Sequence, residues 1–216
     1  EEQKMKPNIC LRFTLFAVTT ILLCSSSGFA SFQDDPLVRE TSSGEVKGYA
    51  DPATKTWVWK SVPFASPPVG SLRWKAPQPP APWVGTRTTI EEPAMCVQNE
   101  TLPTWIMMPN ATGSEDCLYL NIYRPQSDEK NLPVYFWIHG GANSSGDAGL
   151  YNLENLAKRA NVVAVVVQYR LNAFGWFTHP ALRQTSTSAE SSGNFGTLDQ
   201  IQALKWVGEN IAAFGG

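Results

Sequence analysis

Nothing in this sequence is built to hold a polyanion. Its 17 Lys and Arg residues are offset by 19 acidic ones, for a net charge of -2. They form no clustered basic face, so nucleic acid and acidic membrane surfaces are not expected partners. There is no internal repeat and no sign of a second domain. With 43% hydrophobic and 17% charged residues in 216, the composition excludes disorder and suits one sizeable core and a small partner.

Long apolar runs are missing too, with one flawed exception. Met5 and Lys6 precede an apolar stretch from Ile9 to Cys24 that Arg12 and small hydroxyl residues interrupt, and Gly28 and Ala30 follow. This is the layout of a signal peptide cleaved near Ala30, too short and too interrupted for a comfortable span. An uncleaved anchor and a lipid-modified Cys24 are the alternatives; Leu23 is bulky where a lipoprotein signal wants a small residue. The expected organisation is therefore translated upstream residues over 1–4, a signal peptide over 5–30, and one domain over 31–216, exported to the periplasm or the secretory pathway with no stable membrane anchor.

Cysteine is scarce. Cys10 and Cys24 would leave with the leader, so Cys96 and Cys117 remain alone in an oxidising compartment, where pairing is expected. A bridge closing that loop adds about 3 kcal/mol on the chain-entropy estimate. Two unrelated buried thiols are the other reading.

What is present reads as alternating strands and helices. A Thr41-Ser-Ser-Gly44 turn between Leu37 and Gly48 suggests a hairpin with Val38 and Val46 as its apolar positions. From Pro63 to Trp83 the prolines exclude helix and sheet interior, and Phe64, Trp74 and Trp83 favour an ordered wrap. Leu118, Leu120 and Ile122 alternate with Tyr119, Asn121 and Tyr123, a strand with two different faces, ended by Pro125. Pro133–Ile138 and Val162–Val167 are apolar throughout and predict central strands covered on both faces. Leu153, Leu156, Ala157 and Ala160 make the crossover helix between them. A polar stretch from Gln184 to Ser192 predicts a surface loop. Leu198, Ile201, Leu204, Val207 and Ile211 then recur at helical spacing, with Gly215-Gly216 as a left-handed stop and a further strand expected after it.

The local motif with most chemical content is His139-Gly140-Gly141-Ala142, directly after a buried strand. Consecutive residues with little side chain let successive N–H groups converge on one point, which suits the oxyanion formed in acyl transfer. Alone, the loop is equally compatible with a plain strand-to-helix turn.

A wider set of motifs decides between these readings. Ser114-Glu-Asp-Cys-Leu-Tyr-Leu-Asn121 stands among Val62-Pro-Phe-Ala-Ser-Pro-Pro-Val-Gly70, Leu72-Arg-Trp74, the His139 loop, Tyr169-Arg170 and Gly193-Asn-Phe-Gly-Thr-Leu-Asp-Gln200. Ala203-Leu-Lys-Trp-Val207 and Asn210-Ile-Ala-Ala-Phe-Gly-Gly216 complete the series. In that order, from Leu37 to Gly216, the chain resembles the front part of the type-B carboxylesterases, which include cholinesterases and bile-salt lipases. The resemblance implies an α/β-hydrolase fold, a central, mostly parallel sheet with helices on both faces, and a serine acyl-enzyme acting on a small-molecule carboxylic ester without cofactor or metal. A non-catalytic adhesion or binding protein of the same fold is the alternative.

Carried over residue by residue, Gly141 and Ala142 match the oxyanion-hole amides, and Cys96 and Cys117 the family's first disulfide. Arg73 with Glu115, and Arg170 with Asp199, match two structural ion pairs. In the family a short strand and the elbow Gly-x-Ser-x-Gly come next, with the acid and the histidine later. No such elbow occurs in these residues, so the chain is expected to stop before the nucleophile and to be inactive alone. A missing strand should leave an unpaired edge beside Val162–Val167. His139, at a strand end, and His179, in an expected surface turn, do not stand in for the catalytic base. Ser144, Ser145 and Ser192 are expected to be ordinary hydroxyls.

There are departures from the family. Asn143 stands where a large apolar residue is usual, so the pocket is expected to be more polar. Its sequon would place a glycan at the mouth and is expected to be unused, whereas Asn99 and Asn110 are open to use in a eukaryote. Gln168 and Asn172 replace the common asparagine and glycine around Tyr169-Arg170, and asparagine tolerates the left-handed turn. Trp105 is read as a packed tryptophan in preference to a cation-stacking one, because its spacing to Cys117 is longer than in cholinesterases.

Overall fold

The computed structural model describes residues 35–99, 111–183 and 187–216. The expected leader, Trp105, Asn110 and the first residues of the Gln184 loop lie outside them.

The first strands are β1 (Val38–Thr41), β2 (Gly44–Lys47), β3 (Tyr49–Asp51), β4 (Thr56–Pro63) and β5 (Thr86–Thr88). The short pair β6 (Gln98–Asn99) and β7 (Ala111–Thr112) precedes β8 (Tyr119–Pro125) and β9 (Val134–Ile138). Helix α1 (Glu154–Ala160) leads to β10 (Val163–Val167), and α2 (Asn172–Gly175), α3 (Pro180–Arg183) and α4 (Phe195–Asn210) follow.

β1 and β2 form the hairpin read from its turn, and β5 adds parallel to β2. The proline-rich stretch does wrap: Phe64 is fully buried, and the indole of Trp83 lies against Gly44 and donates to the Glu45 carbonyl at 2.9 Å. Trp74 donates to the Ala173 carbonyl at 2.7 Å.

The main sheet runs β3-β4-β8-β10-β9. β9 and β10 are parallel, joined through α1, and β10 inserts between β8 and β9. The pairs β3–β4, β4–β8 and β8–β10 are antiparallel, so among the described residues the sheet is mixed, with its parallel part at the β9 end. Asn161 ends α1 in the left-handed conformation, at φ 53°.

β10 is covered on both faces, as its unbroken apolar run predicts. Val163, Val165 and Val167 pack in the cluster that holds Ala203 and Trp206 of α4, while Ala164 and Val166 pack with Ala157 of α1. β8 likewise serves two cores: Leu120 and Ile122 join the first, Tyr123 the second. Between them Asn121 is buried, accepting from the Ser61 amide at 3.1 Å and donating to Glu92 at 2.8 Å.

Val134–Ile138 pairs with β10 alone among the described residues, and Val134, Tyr135 and Ile138 are 38–39% exposed. Two expectations are corrected. The side left without a partner among the described residues lies beside β9, since β10 has a partner on each side. In α4 the expected stripe is half right: Val207 and, just past the helix, Ile211 are buried, but Ile201 and Leu204 are 44% and 50% exposed, and Phe195, Asp199, Ala203, Trp206 and Asn210 share the buried face. The helix has apolar residues on adjacent faces, and its polar anchors choose between them. Asp199 turns inward to Arg170, and Asn210 accepts from the Ser42 amide at 2.6 Å. Beyond α4 a 3-10 turn, Ile211–Phe214, ends on Gly215 at φ 85°. Among the described residues no helix is long and apolar enough to cross a membrane.

Candidate functional site

Past Ile138 the backbone leaves the sheet and turns left-handed at Gly141, Ala142, Asn143 and Gly146, with φ of 119°, 53°, 61° and 119°. Alanine and asparagine accept this conformation only at some cost in energy. What holds the turn together is one carbonyl. The oxygen of Gly141 accepts from the Ser144 and Ser145 amides at 3.0 and 3.1 Å and from the Ser144 hydroxyl at 3.0 Å.

That bond has a consequence for the next N–H. A trans peptide holds its C=O and N–H in opposite directions. With the Gly141 carbonyl drawn into the turn, the amide of Ala142 faces out of it. The preceding peptide is set in the same way: the Gly140 carbonyl accepts from Nδ1 of His139 at 2.9 Å, which turns the Gly141 amide the other way. Gly140, Gly141 and Ala142 are exposed, and among the described residues their amides meet no acceptor. Two neighbouring donors are thus left open to solvent, groups of the kind that can bind an oxyanion.

His139 is 2% exposed, its ring stacks on Tyr169 at 4.4 Å, and its carbonyl accepts from the Tyr169 hydroxyl at 2.7 Å. The carbonyl acceptor makes Nδ1 the protonated nitrogen, while Nε2 is buried with no partner among the described residues. Burial pushes the pKa below the ordinary histidine value, against the raising effect of the Gly140 carbonyl and of Asp147. Such a histidine binds fewer protons folded than unfolded. Its stability contribution is full above the unfolded value of about 6.5 and declines as pH falls from there through the folded pKa. In the complete gene product the urea midpoint should drop more between about pH 7.5 and about pH 5 than it does in His139→Asn, whose amide keeps a donor near the Gly140 carbonyl without titrating. Equal drops would refute this.

Side-chain amides grip the loop from outside. Asn172, left-handed at φ 52°, donates from Nδ2 to the Ser144 carbonyl at 2.7 Å and from its backbone to the Asn143 carbonyl at 2.9 Å. Gln168 donates to Asp147 at 2.9 Å and accepts from the Ala148 amide at 3.3 Å. Gln98 pairs with both polar backbone groups of Gly146. In the sequence Gln168 and Asn172 stand out only as departures from a pattern, and Gln98 carries no signal at all. The roles of Ser144 and Ser145 are equally hidden there, because their hydroxyls act on the chain and not on a substrate.

The remaining residues singled out from sequence surround this loop. Cys96 and Cys117 form a disulfide. Arg73 meets Glu115 through two nitrogens, one at 2.6 Å, on the partly exposed rim. Arg170 meets Asp199 at 2.8 and 2.7 Å, both fully buried, and the same carboxylate accepts the Arg170 amide at 3.0 Å. Asn172, two residues past this pair, is the residue that reaches the loop. Asn143 is exposed at the turn and Asn99 is half-buried. His179 is exposed ahead of α3, so among the described residues no serine is paired with a histidine base.

A family model described as the carboxylesterase family matches residues 35–216. The chain belongs to that family. It is 41% identical over 209 residues to the rat pyrethroid hydrolase Ces2e, covering 91% of this chain and 35% of that protein. It is 42% identical over 194 residues to human cocaine esterase, covering 83% of this chain and 33% of the relative. The solved carboxylesterase EST55 of Geobacillus stearothermophilus superposes with a TM-score of 0.70 at 40% identity, over 83% of this chain and 36% of its own. The α/β-hydrolase fold follows from these similarities. The chain spans about a third of the length of the curated relatives it matches.

Proposed function

We propose that a protein of the relatives' full length carrying these residues is an exported carboxylic ester hydrolase, with Gly141 and Ala142 as two of its oxyanion donors. The outward-facing pair of amides carries this reading: each is aimed by a fixed carbonyl on the other side of its peptide, and each lacks a protein acceptor among the described residues. In the reaction a serine oxygen supplied by later sequence bonds to the substrate carbonyl carbon. A histidine takes the serine proton, and the carbonyl electron pair moves to an oxyanion that these amides hold. Collapse expels the alcohol, which takes up that proton and leaves an acyl-enzyme for water to cleave. The two ion pairs and the disulfide support the loop and take no part in bond making. The substrate is a small-molecule ester, with no cofactor or metal.

The test is turnover of a simple aryl ester by the complete gene product, with a fluorophosphonate probe read by mass spectrometry. A single serine adduct is expected, along with no turnover by residues 31–216 alone. A complete product that forms no adduct and turns over no ester would sink the hydrolase reading in favour of a binding protein on the same fold.

A further inference from the structure

We propose that Gln98 is a positioning residue for these oxyanion donors; this rests on the ester-hydrolase reading above. Gln98 is 7% exposed and lies two residues past Cys96, whose bridge to Cys117 anchors it. Its side-chain amide meets Gly146 at two points, donating from Nε2 to the Gly146 carbonyl at 2.8 Å and accepting the Gly146 amide on Oε1 at 2.9 Å. The same Nε2 donates to the Cys96 carbonyl at 3.1 Å. Such a contact needs a donor and an acceptor side by side on one flat group, which a primary amide provides.

Gly146 is the point where this grip reaches the donors. A Cβ there would lie 2.3 Å from Nδ1 of His139 and 2.4 Å from the Gly140 oxygen. Those two atoms form the bond that aims the Gly141 amide. Gln98 therefore holds the backbone that presses on the aiming bond, while Asn172 holds the other end of the turn through Ser144. Besides the bridge and this contact, β6 has a two-residue pairing with β7, and the residues just before it carry a bridge between Cys96 and Ser114 and a 3.4 Å bond from Asn172 to the Val97 carbonyl. Without the Gln98 amide, Gly146 loses both of its polar partners and the Gly141 N–H loses its fixed direction. Donors that wander should slow the chemical step and leave substrate binding nearly alone.

The experiment compares complete gene product carrying Gln98→Met, which keeps the shape and removes the polar atoms, with Gln98→Glu. Gln98→Met should lower kcat by about 10- to 100-fold with KM changed by less than about twofold. Affinity for a trifluoromethyl ketone, which forms a tetrahedral oxyanion, should fall by the same factor. In the Gln98→Glu enzyme a protonated carboxyl keeps one donor and one acceptor toward Gly146, and an ionised one does not. The ratio of Gln98→Glu to wild-type kcat should therefore start near one at acidic pH and fall as pH rises. A merely structural role would lower thermal stability without giving that ratio a pH dependence. A flat ratio, or an unchanged kcat in Gln98→Met, overturns the proposal. If Gly141→Ala abolishes turnover and Gln98→Met does not, Gln98 alone is misassigned; if Gly141→Ala leaves turnover intact, the oxyanion reading fails and the proposal with it.

Discussion

Gly141→Ala should cost the proposed ester hydrolase at least about 100-fold in kcat/KM, a loss of the size seen when a single oxyanion donor is removed, here by displacing the donors and not by deleting one. The added Cβ would sit 1.9 Å from the Ser145 carbonyl oxygen and 2.6 Å from its carbon, and these are backbone atoms that no rotamer change removes. At φ 119° the residue also lies where an L side chain is strained in any surroundings. To admit the methyl the turn must open, and the carbonyl that gathers the Ser144 and Ser145 donors moves with it. Ala142 is the informative neighbour. It is already left-handed at φ 53°, so Ala142→Gly relieves strain and should retain activity. Ala142→Pro cannot separate loss of the donor from loss of the turn, because proline fixes φ near about -65°. The clean replacement is an ester in place of the Ala142 amide, lactic acid at that position, which removes the N–H with little change of shape. It should also cost about 100- to 1000-fold. Full turnover in both the Gly141→Ala and the ester-substituted enzymes, by steady-state assay, would mean that the loop is an ordinary turn.

Asp199→Ala should destabilise the fold by about 3 to 5 kcal/mol, read as a shift of the denaturant midpoint at constant slope. Both partners are buried, and the carboxylate answers three N–H groups of Arg170, its backbone amide among them. Removing it strands a guanidinium whose Nη1 already lacks a partner among the described residues, where the Lys75 carbonyl at 2.9 Å is the acceptor left for Nη2. The penalty comes from the orphaned charge more than from the lost attraction. Arg170→Met with Asp199→Leu should therefore be less harmful than Asp199→Ala alone. A midpoint unmoved by Asp199→Ala would show that water or rearrangement satisfies the arginine. Turnover should suffer together with stability, because Asn172 reaches the Ser144 carbonyl from the segment that this pair holds.

Much of the layout was legible from residue patterns. The hairpin at Ser42-Ser43, the wrap from Pro63 to Trp83, the buried run of β10 and the glycine stop at Gly215 follow from turn chemistry and from which side chains can be covered. The facing of α4 was only half legible: Val207 and Ile211 of its apolar stripe are buried, but Ile201 and Leu204 are not, because Asp199 and Asn210 turn toward partners that only the folded chain brings near.

The glycine loop shows the same division at finer scale. Local sequence establishes that His139-Gly-Gly-Ala142 is free to leave the sheet and expose its amides, since that depends on the size of side chains at consecutive positions. The ordered series of motifs establishes the family. Which way each N–H points depends on what holds the carbonyl opposite it, which is His139 and Ser144 within the loop, while Gln98, Gln168, Tyr169 and Asn172 hold the loop itself in place. Hydrogen bonds between groups distant in the chain have no periodicity and no spacing rule. Only the tertiary structure shows what fixes a loop that the local sequence leaves merely permissive.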